Sequence, residues 1–331
     1  MRLSSDRKLA AAPGRSALAA RLGRAVLALA AASLAVTVLA LGARLWWGFE
    51  LLTHFRPQYA AGQLLLLAAL ALARRPRWCV AVLAGLAVNA VPLAPYLPRL
   101  GVAAAAASGN ASVTVLAVNV EWRNPRADAL LDIVRRESPD LLLVVELTED
   151  WRQRLAELEL AYPHRVVAPR ADAFGLALYS RLPLERAETF DLETTAAIDA
   201  EVATPAGPFR FLGVHLRPPT TARWLAERNR QLELLGELAS EAALPLVVAG
   251  DFNATPYSPY FGDFLDAGGL RTTLAGRAPG LTWPTFLPVL GIPIDHCAVS
   301  EEFIVIEHRR LPAVGSDHYP ILARLALERR P

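Results

Sequence analysis

Cysteine is scarce in this 331-residue chain, with Cys79 and Cys297 its only two. That excludes a disulfide framework and a zinc knuckle built on paired thiolates. Lysine is scarcer still. Lys8 is the only one, so residues 110–331 carry no lysine and no basic run beyond short arginine pairs. A surface that tracks duplex phosphates normally uses Arg and Lys, and this composition argues against such a surface there. Acid is what the first 109 residues lack, holding 12 basic side chains against only Asp6 and Glu50. The remainder therefore has 22 basic and 30 acidic side chains, about eight negative charges in excess before any metal binds. No internal repeat is evident.

Apolar side chain is abundant, at 53% of residues, with a mean hydropathy of +0.29. That is high for a wholly water-soluble chain and points to membrane segments joined to a globular part. Residues 1–24 form a basic N-terminus, and three apolar stretches follow, at about 25–44, 56–73 and 78–97. A cleaved signal peptide also begins with a basic stretch before an apolar run, but the second and third stretches favour a multi-pass membrane region over 25–100. Arg74, Arg75 and Arg77 lie between the last two stretches, and the charge-poor Trp46–Tyr59 region lies between the first two. Basic loops stay in the cytoplasm, so three crossings place everything beyond about residue 100 outside it. A re-entrant middle segment would reverse that side. Residues 101–110 read as a linker, and 111–331 as the globular domain.

Within that domain, predicted strands end in polar residues. Ser112–Val120 carries Asn119 with Glu121 beyond it, Asp140–Val145 ends at Glu146, and Phe209–Leu216 delivers His215. Leu246–Pro256 reads LVVAGDFNATP, an apolar run closing on Asp251 and Asn253. Gly, Asp and Asn are turn formers, so this stretch alone supports a turn and a site equally. Asp295 and His296 sit in Ile294–Val299, and Ser316, Asp317 and His318 precede a closing strand at Ile321–Leu325. Helical spacing at Arg126–Glu137, Trp151–Leu160, Arg223–Leu238 and Tyr260–Ala267 separates several strands, which argues for a mixed α/β sandwich. Glu146 has a competing reading as the N-cap or a salt-bridge partner of the Trp151–Leu160 helix.

Carboxylates and amides gathered at strand ends are hard oxygen ligands suited to Mg²⁺, with Mn²⁺ an acceptable substitute. A hard cation with histidines beside it is equipment for attacking a phosphate ester. Asn119, LLVVE ending at Glu146, GVHL with His215, AGDFN with Asp251 and Asn253, PIDH with Asp295, and GSDHYP with Asp317 and His318 resemble the endonuclease/exonuclease/phosphatase superfamily. The resemblance covers roughly residues 111–327. It implies a four-layer α/β sandwich, two mixed β-sheets flanked by helices, here preceded by an N-terminal transmembrane helical region. It also implies metal ligation by Glu146 and Asn119, aided by Asp317 and, as a weaker match, Glu121. His318 is implied as general base oriented by Asp295, Asp251 as the group that positions water or stabilises the leaving group, and Asn253 and His215 as phosphoryl contacts. His296 stands where nuclease members usually have Tyr, which implicates the pocket wall.

The membrane-anchored arrangement resembles the branch that includes VanJ-type teicoplanin-resistance proteins, implying a lipid bilayer partner and a polyprenyl pyrophosphate or related lipid phosphate. Trp283–Phe286 and Pro288–Pro293 could equally form a lip for an apolar chain or ordinary loop packing. A Mg²⁺-dependent DNA or RNA nuclease is the alternative expectation. A non-enzymatic scaffold is a third, disfavoured because no core catalytic position is missing.

Overall fold

The computed structural model describes residues 13–99, 112–277 and 280–328. The expected linker at 101–110 and the first twelve residues of the basic N-terminus lie outside the described residues.

Four helices open the chain: α1 (Pro13–Leu41), α2 (Trp47–Thr53), α3 (Arg56–Leu72) and α4 (Pro76–Ala90), the last continued by a 3-10 turn at Val91–Tyr96. α1, α3 and α4 pack on one another. Their seam is apolar at Ala30, Leu70 and Val82 but also holds a buried polar knot. Gln63 and Asn89 both donate to Thr37 Oγ1, at 3.0 and 2.9 Å, and Asn89 donates to Gln63 Oε1 at 3.1 Å. Each helix supplies one member, so the bundle cannot slide in register without orphaning a buried amide. Among the described residues, two stretches, Ala17–Leu41 and Pro76–Tyr96, are long and apolar enough to cross a membrane. α3, at 17 residues, is about 25 Å long. The charge-poor Trp46–Tyr59 region between the first two apolar stretches folds into α2 and the first turn of α3.

The rest is a sandwich of two six-stranded mixed sheets. β1 (Ser112–Asn119), β2 (Leu141–Val145), β3 (His164–Ala168) and β4 (Leu176–Ser180) belong to the first sheet. β5 (Leu184–Leu192), β6 (Thr195–Val202), β7 (Phe209–His215), β8 (Leu246–Asp251), β9 (Arg271–Thr272) and β10 (Asp295–Val299) form the second. β11 (Phe303–Arg310) and β12 (Ile321–Leu327) return to the first, giving orders β11-β12-β1-β2-β4-β3 and β5-β6-β7-β8-β10-β9. Each sheet contains one parallel pair, β1 with β2 and β7 with β8. The facing sides interdigitate through Val115, Leu143, Leu178, Phe211 and Val247, all buried, each contributing about 1.5–3 kcal/mol.

Helices cover the outer faces. α5 (Ala127–Glu137) and α6 (Glu149–Arg154) lie on the first sheet, and α7 (Ala222–Ser240) and α8 (Pro259–Ala267) on the second. In α5 the apolar positions Leu130, Ile133 and Val134 bury one face, and Ser138, at φ 44°, ends the helix with its N–H on Val134 O. Thr148 caps α6, its hydroxyl accepting the Trp151 N–H. Glu146 is therefore not the N-cap that one reading of the sequence offered. The expected Trp151–Leu160 helix splits into α6 and a 3-10 turn at Ala156–Leu160.

Gly250 fixes the approach to the polar strand ends. Its φ is +139°, and a Cβ there would sit 1.9 Å from Val214 O on the neighbouring strand. Gly250→Ala combines backbone strain with a backbone clash, so it is expected to cost on the order of 3 kcal/mol or more, read as a large fall in Tm or loss of soluble protein.

Candidate active site

Alternation along the strands explains how the site forms. Val113, Val115 and Ala117 on β1 point into the inter-sheet core, as do Phe209 and Phe211 on β7, Val247 and Ala249 on β8, and Cys297 and Val299 on β10. Continuing with a period of two puts Asn119, His215, Asp251 and Asp295 on that same face, at the open end of the core. Pairing sets them side by side, His215 opposite Asp251 in parallel register and Asp295 opposite Asp251 in antiparallel register.

Glu146 should fall on the wrong side. It follows Leu142 and Val144, which face α5 and α6, but its φ of +65° turns the carboxylate back toward the site. Glu121 and Asn253, at φ 56° and 48°, are strained in the same way, and such strain persists where surrounding bonds over-determine it. Asn253 does not continue an extended strand. Its N–H turns back to Asp251 Oδ1 at 2.9 Å, so this stretch is both a turn and part of the site. Phe252 between them packs on Phe261 and Phe264.

Asn119 spans the sheets. Its Nδ2 donates to Glu146 Oε1 at 3.0 Å and to Asp251 Oδ2 at 3.1 Å, while its Oδ1 accepts the Glu121 N–H. The amide thus presents donors to the carboxylates, and its oxygen is occupied by backbone. Glu146 Oε2 accepts the Trp122 N–H at 3.0 Å. On the last loop, Ser316 Oγ donates to Asn119 O and accepts the His318 N–H, which fixes His318 beside the second sheet. His318 Nδ1 lies 2.9 Å from Asp295 Oδ2, and Nε2 is 3.7 Å from Asp251 Oδ2. His215 bonds Ala173 O through Nδ1 at 3.0 Å and aims Nε2 at Asp251 Oδ2, 3.6 Å away. Asp317 accepts the Trp283 indole N–H.

These groups open onto a chamber of about 420 Å³. Glu146, His215, Asp251, Asn253, Asp317 and His318 form its polar floor, and Phe174, Trp283, Ile292 and Ile294 much of its wall. The Pro218–Thr220 turn adds to the wall, as do Leu51, His54 and Phe55, from α2 and the turn after it. No strand-end signal could have found those three; they arrive only through tertiary docking. In the segment between the lining residues Trp283 and Ile292, Phe286 and Val289 are 76% and 81% exposed.

His296 corrects an expectation. Alternation sends it away from Asp295 into the outer layer, wholly buried between Phe252 and Phe261 with Nε2 2.8 Å from Ala254 O. Burial holds it down to about 4, and it lines no part of the chamber wall that the sequence suggested.

Residues 116–318 match the model of the Endonuclease/Exonuclease/phosphatase family. The chain belongs to this family. Solved structures with this fold include Danio rerio TDP2 complexed with single strand DNA product, at 16% identity over 65% of this chain and 99% of that one, with a TM-score of 0.57. The endonuclease/exonuclease/phosphatase from Bacteroides vulgatus is similar at 20% identity, 66% and 100% coverage and TM-score 0.56. The human Nocturnin catalytic domain with bound sulfate anion is similar at 20%, 66%, 96% and 0.53. No curated protein matches the chain.

The donor chemistry suits the divalent cation of a metal-dependent hydrolase. Asp251, Asp295 and His318 each offer a ligand atom, all within 4.8 Å of one another. This cluster is centred on the second sheet, whereas the resemblance pointed first to Glu146 on the other. Beside Glu146, burial together with Asp317 and Glu146 raises the Glu121 carboxyl, against the pull of Arg123 and His318. Burial lifts Asp251 to about 6, even though His318 and His215 act against it. Burial opposes the His318 cation, but Asp295 and Asp251 outweigh it and raise the imidazole to about 10.

Proposed function

We propose that this member of the endonuclease/exonuclease/phosphatase family hydrolyses phosphate-ester or pyrophosphate bonds at a membrane surface, using Mg²⁺ or Mn²⁺. The observation that carries the reading is the buried Asp295–His318–Asp251 array, whose His318 and Asp251 lie at the floor of a chamber that the N-terminal helices help to wall. Glu146 and Asp317 would hold the cation from the first sheet and Asp251 from the second, with Glu121 nearby. When bound, the cation supplies positive charge that offsets these carboxylates, polarises a phosphoryl oxygen and lowers the proton affinity of His318. Asp295 fixes the His318 ring through Nδ1, leaving Nε2 to hold or move a proton on water. Asp251 positions that water or the leaving oxygen, His215 Nε2 faces the phosphoryl group, and Asn253 holds the turn that aims Asp251.

Two substrate classes divide the support. The comparisons favour nucleic acid, because Danio rerio TDP2 was solved with a single strand DNA product. The apolar chamber wall, and the three-helix bundle whose Arg74–Arg77 turn lies at the far end from the catalytic domain, favour a lipid phosphate such as a polyprenyl pyrophosphate, as in a VanJ-like enzyme. The same bundle supports multi-pass membrane anchoring with the catalytic domain outside the cytoplasm.

The test uses the full chain in detergent with Mg²⁺, offered bis(p-nitrophenyl) phosphate, single-stranded DNA and a polyprenyl pyrophosphate in turn. EDTA is expected to reduce turnover of the accepted substrate by at least roughly 100-fold, with recovery on adding Mg²⁺ or Mn²⁺. Phosphate release from the lipid alone selects the lipid reading, and cleavage of DNA alone selects the nuclease reading. Turnover undiminished by EDTA would overturn the metal-dependent mechanism.

A further inference from the structure

Helix α2 belongs to neither sheet, yet it grips the loop that follows Asp251. Glu50 on α2 is wholly buried, with Oε1 2.9 Å from Nη2 of Arg228, an α7 residue that is itself wholly buried. The same oxygen accepts the Ser258 hydroxyl at 2.7 Å. His54 Nδ1 meets Thr255 Oγ1 at 2.9 Å, and the Tyr96 hydroxyl, from the end of the bundle, donates to Pro256 O at 3.3 Å. Arg228 turns its other terminal nitrogen to the site, Nη1 donating to Asn253 O at 3.0 Å.

Asn253 is a non-glycine residue held at φ 48°. It stays there because its N–H bonds Asp251 Oδ1, its side chain bonds Leu216 O, and its carbonyl accepts from Arg228. A buried guanidinium keeps its place only while a counter-charge is present. Glu50 supplies that charge, and it is one of only two acids in the first 109 residues. Without it, Arg228 is drawn toward water, the Asn253 carbonyl is released, and the turn that aims Asp251 relaxes.

We propose that Glu50 is a positioning residue of the active site, acting through Arg228 on the Asn253 backbone, so that α2 is part of the catalytic apparatus as well as of the helical anchor. The inference rests on the phosphohydrolase reading above. It adds that the N-terminal helices set the geometry of the reacting groups.

The test compares full-chain wild type, Glu50→Gln and Glu50→Asp in detergent with Mg²⁺ and bis(p-nitrophenyl) phosphate, with rates taken per folded molecule well below each Tm. Glu50→Gln is expected to lose ~10- to 100-fold in kcat, with KM within about twofold. Glu50→Asp, which keeps the charge, is expected to recover most of the loss. A kcat for Glu50→Gln equal to wild type, even with a lower Tm, overturns the proposal and reduces the ion pair to a structural tie. If Glu50→Gln gives no folded protein, Arg228→Lys is read in the same way, since it keeps the ion pair but gives up the nitrogen that reaches Asn253. Wild-type kcat in that variant overturns the proposal. An inactive wild type overturns the phosphohydrolase reading with it, whereas equal activity in wild type and variants overturns the positioning role alone.

Discussion

His318→Ala is expected to lower kcat by about 10³-fold or more. The imidazole lines the chamber and has a carboxylate behind it on Nδ1 to fix the ring, which leaves Nε2 to exchange a proton. Its removal also takes away the charge that works against the burial of Asp251, so the Asp251 carboxyl rises further. The loss is thus expected in the chemical step, with substrate affinity largely kept, and single-turnover kinetics would separate the two. Asp295→Asn probes the same ring by another route, since it leaves the imidazole in place and removes the charge that orients it. A His318→Ala enzyme with more than about a tenth of wild-type kcat would exclude acid–base work by this residue.

Asp251→Asn should abolish turnover and stabilise the fold. The Asp251 carboxyl is raised from 3.8 to about 6 in the folded protein, chiefly by burial. A group raised on folding contributes stability that is complete below its unfolded value and disappears as pH climbs through the folded one. Above about pH 6 the ionised carboxylate therefore counts against the fold. His318 is raised from 6.5 to about 10, so its own contribution is complete below pH 6.5 and is lost only as the pH passes about 10. In EDTA, Tm of Asp251→Asn is expected to exceed wild type at pH 8 and to converge with it near pH 4. Adding Mg²⁺ should raise the wild-type Tm by mass action and the variant's by much less. A variant less stable than wild type at pH 8 in EDTA would remove the assigned cost of the buried charge. Stability surrendered at a catalytic carboxylate is a common exchange.

The central strands and the polar residues at their ends were legible in the chain because burial on both faces leaves uninterrupted apolar runs, as in LLLVV at β2. β3 and β5 were not. Both are edge strands, and β5, LERAETFDL, is largely exposed with a register shift near Leu184, so its alternation is too broken to read. Glu146 was found for a reason the pattern alone would have contradicted, since only its positive φ brings it to the site. His296 shows the opposite failure: adjacency to Asp295 in sequence means opposite faces in a strand. α2 was invisible as a site element because Glu50, Leu51, His54 and Phe55 acquire their roles from partners about 180 to 200 positions away, such as Arg228 and Thr255.

The Asn119 amide touches one carboxylate from each sheet. The facing sides of the two sheets meet through apolar side chains, which resist separation but tolerate small shear, and the polar ties between the layers sit at the margins, among them His318 to Asp295 and His215 to Ala173 O. That amide is therefore a rivet at the open end of the stack, and any ion gripped by Glu146 and Asp251 together is a second one. Occupancy of the site would then become a mechanical variable, with the loaded protein's two β-layers pinned at one more point than the metal-free protein's.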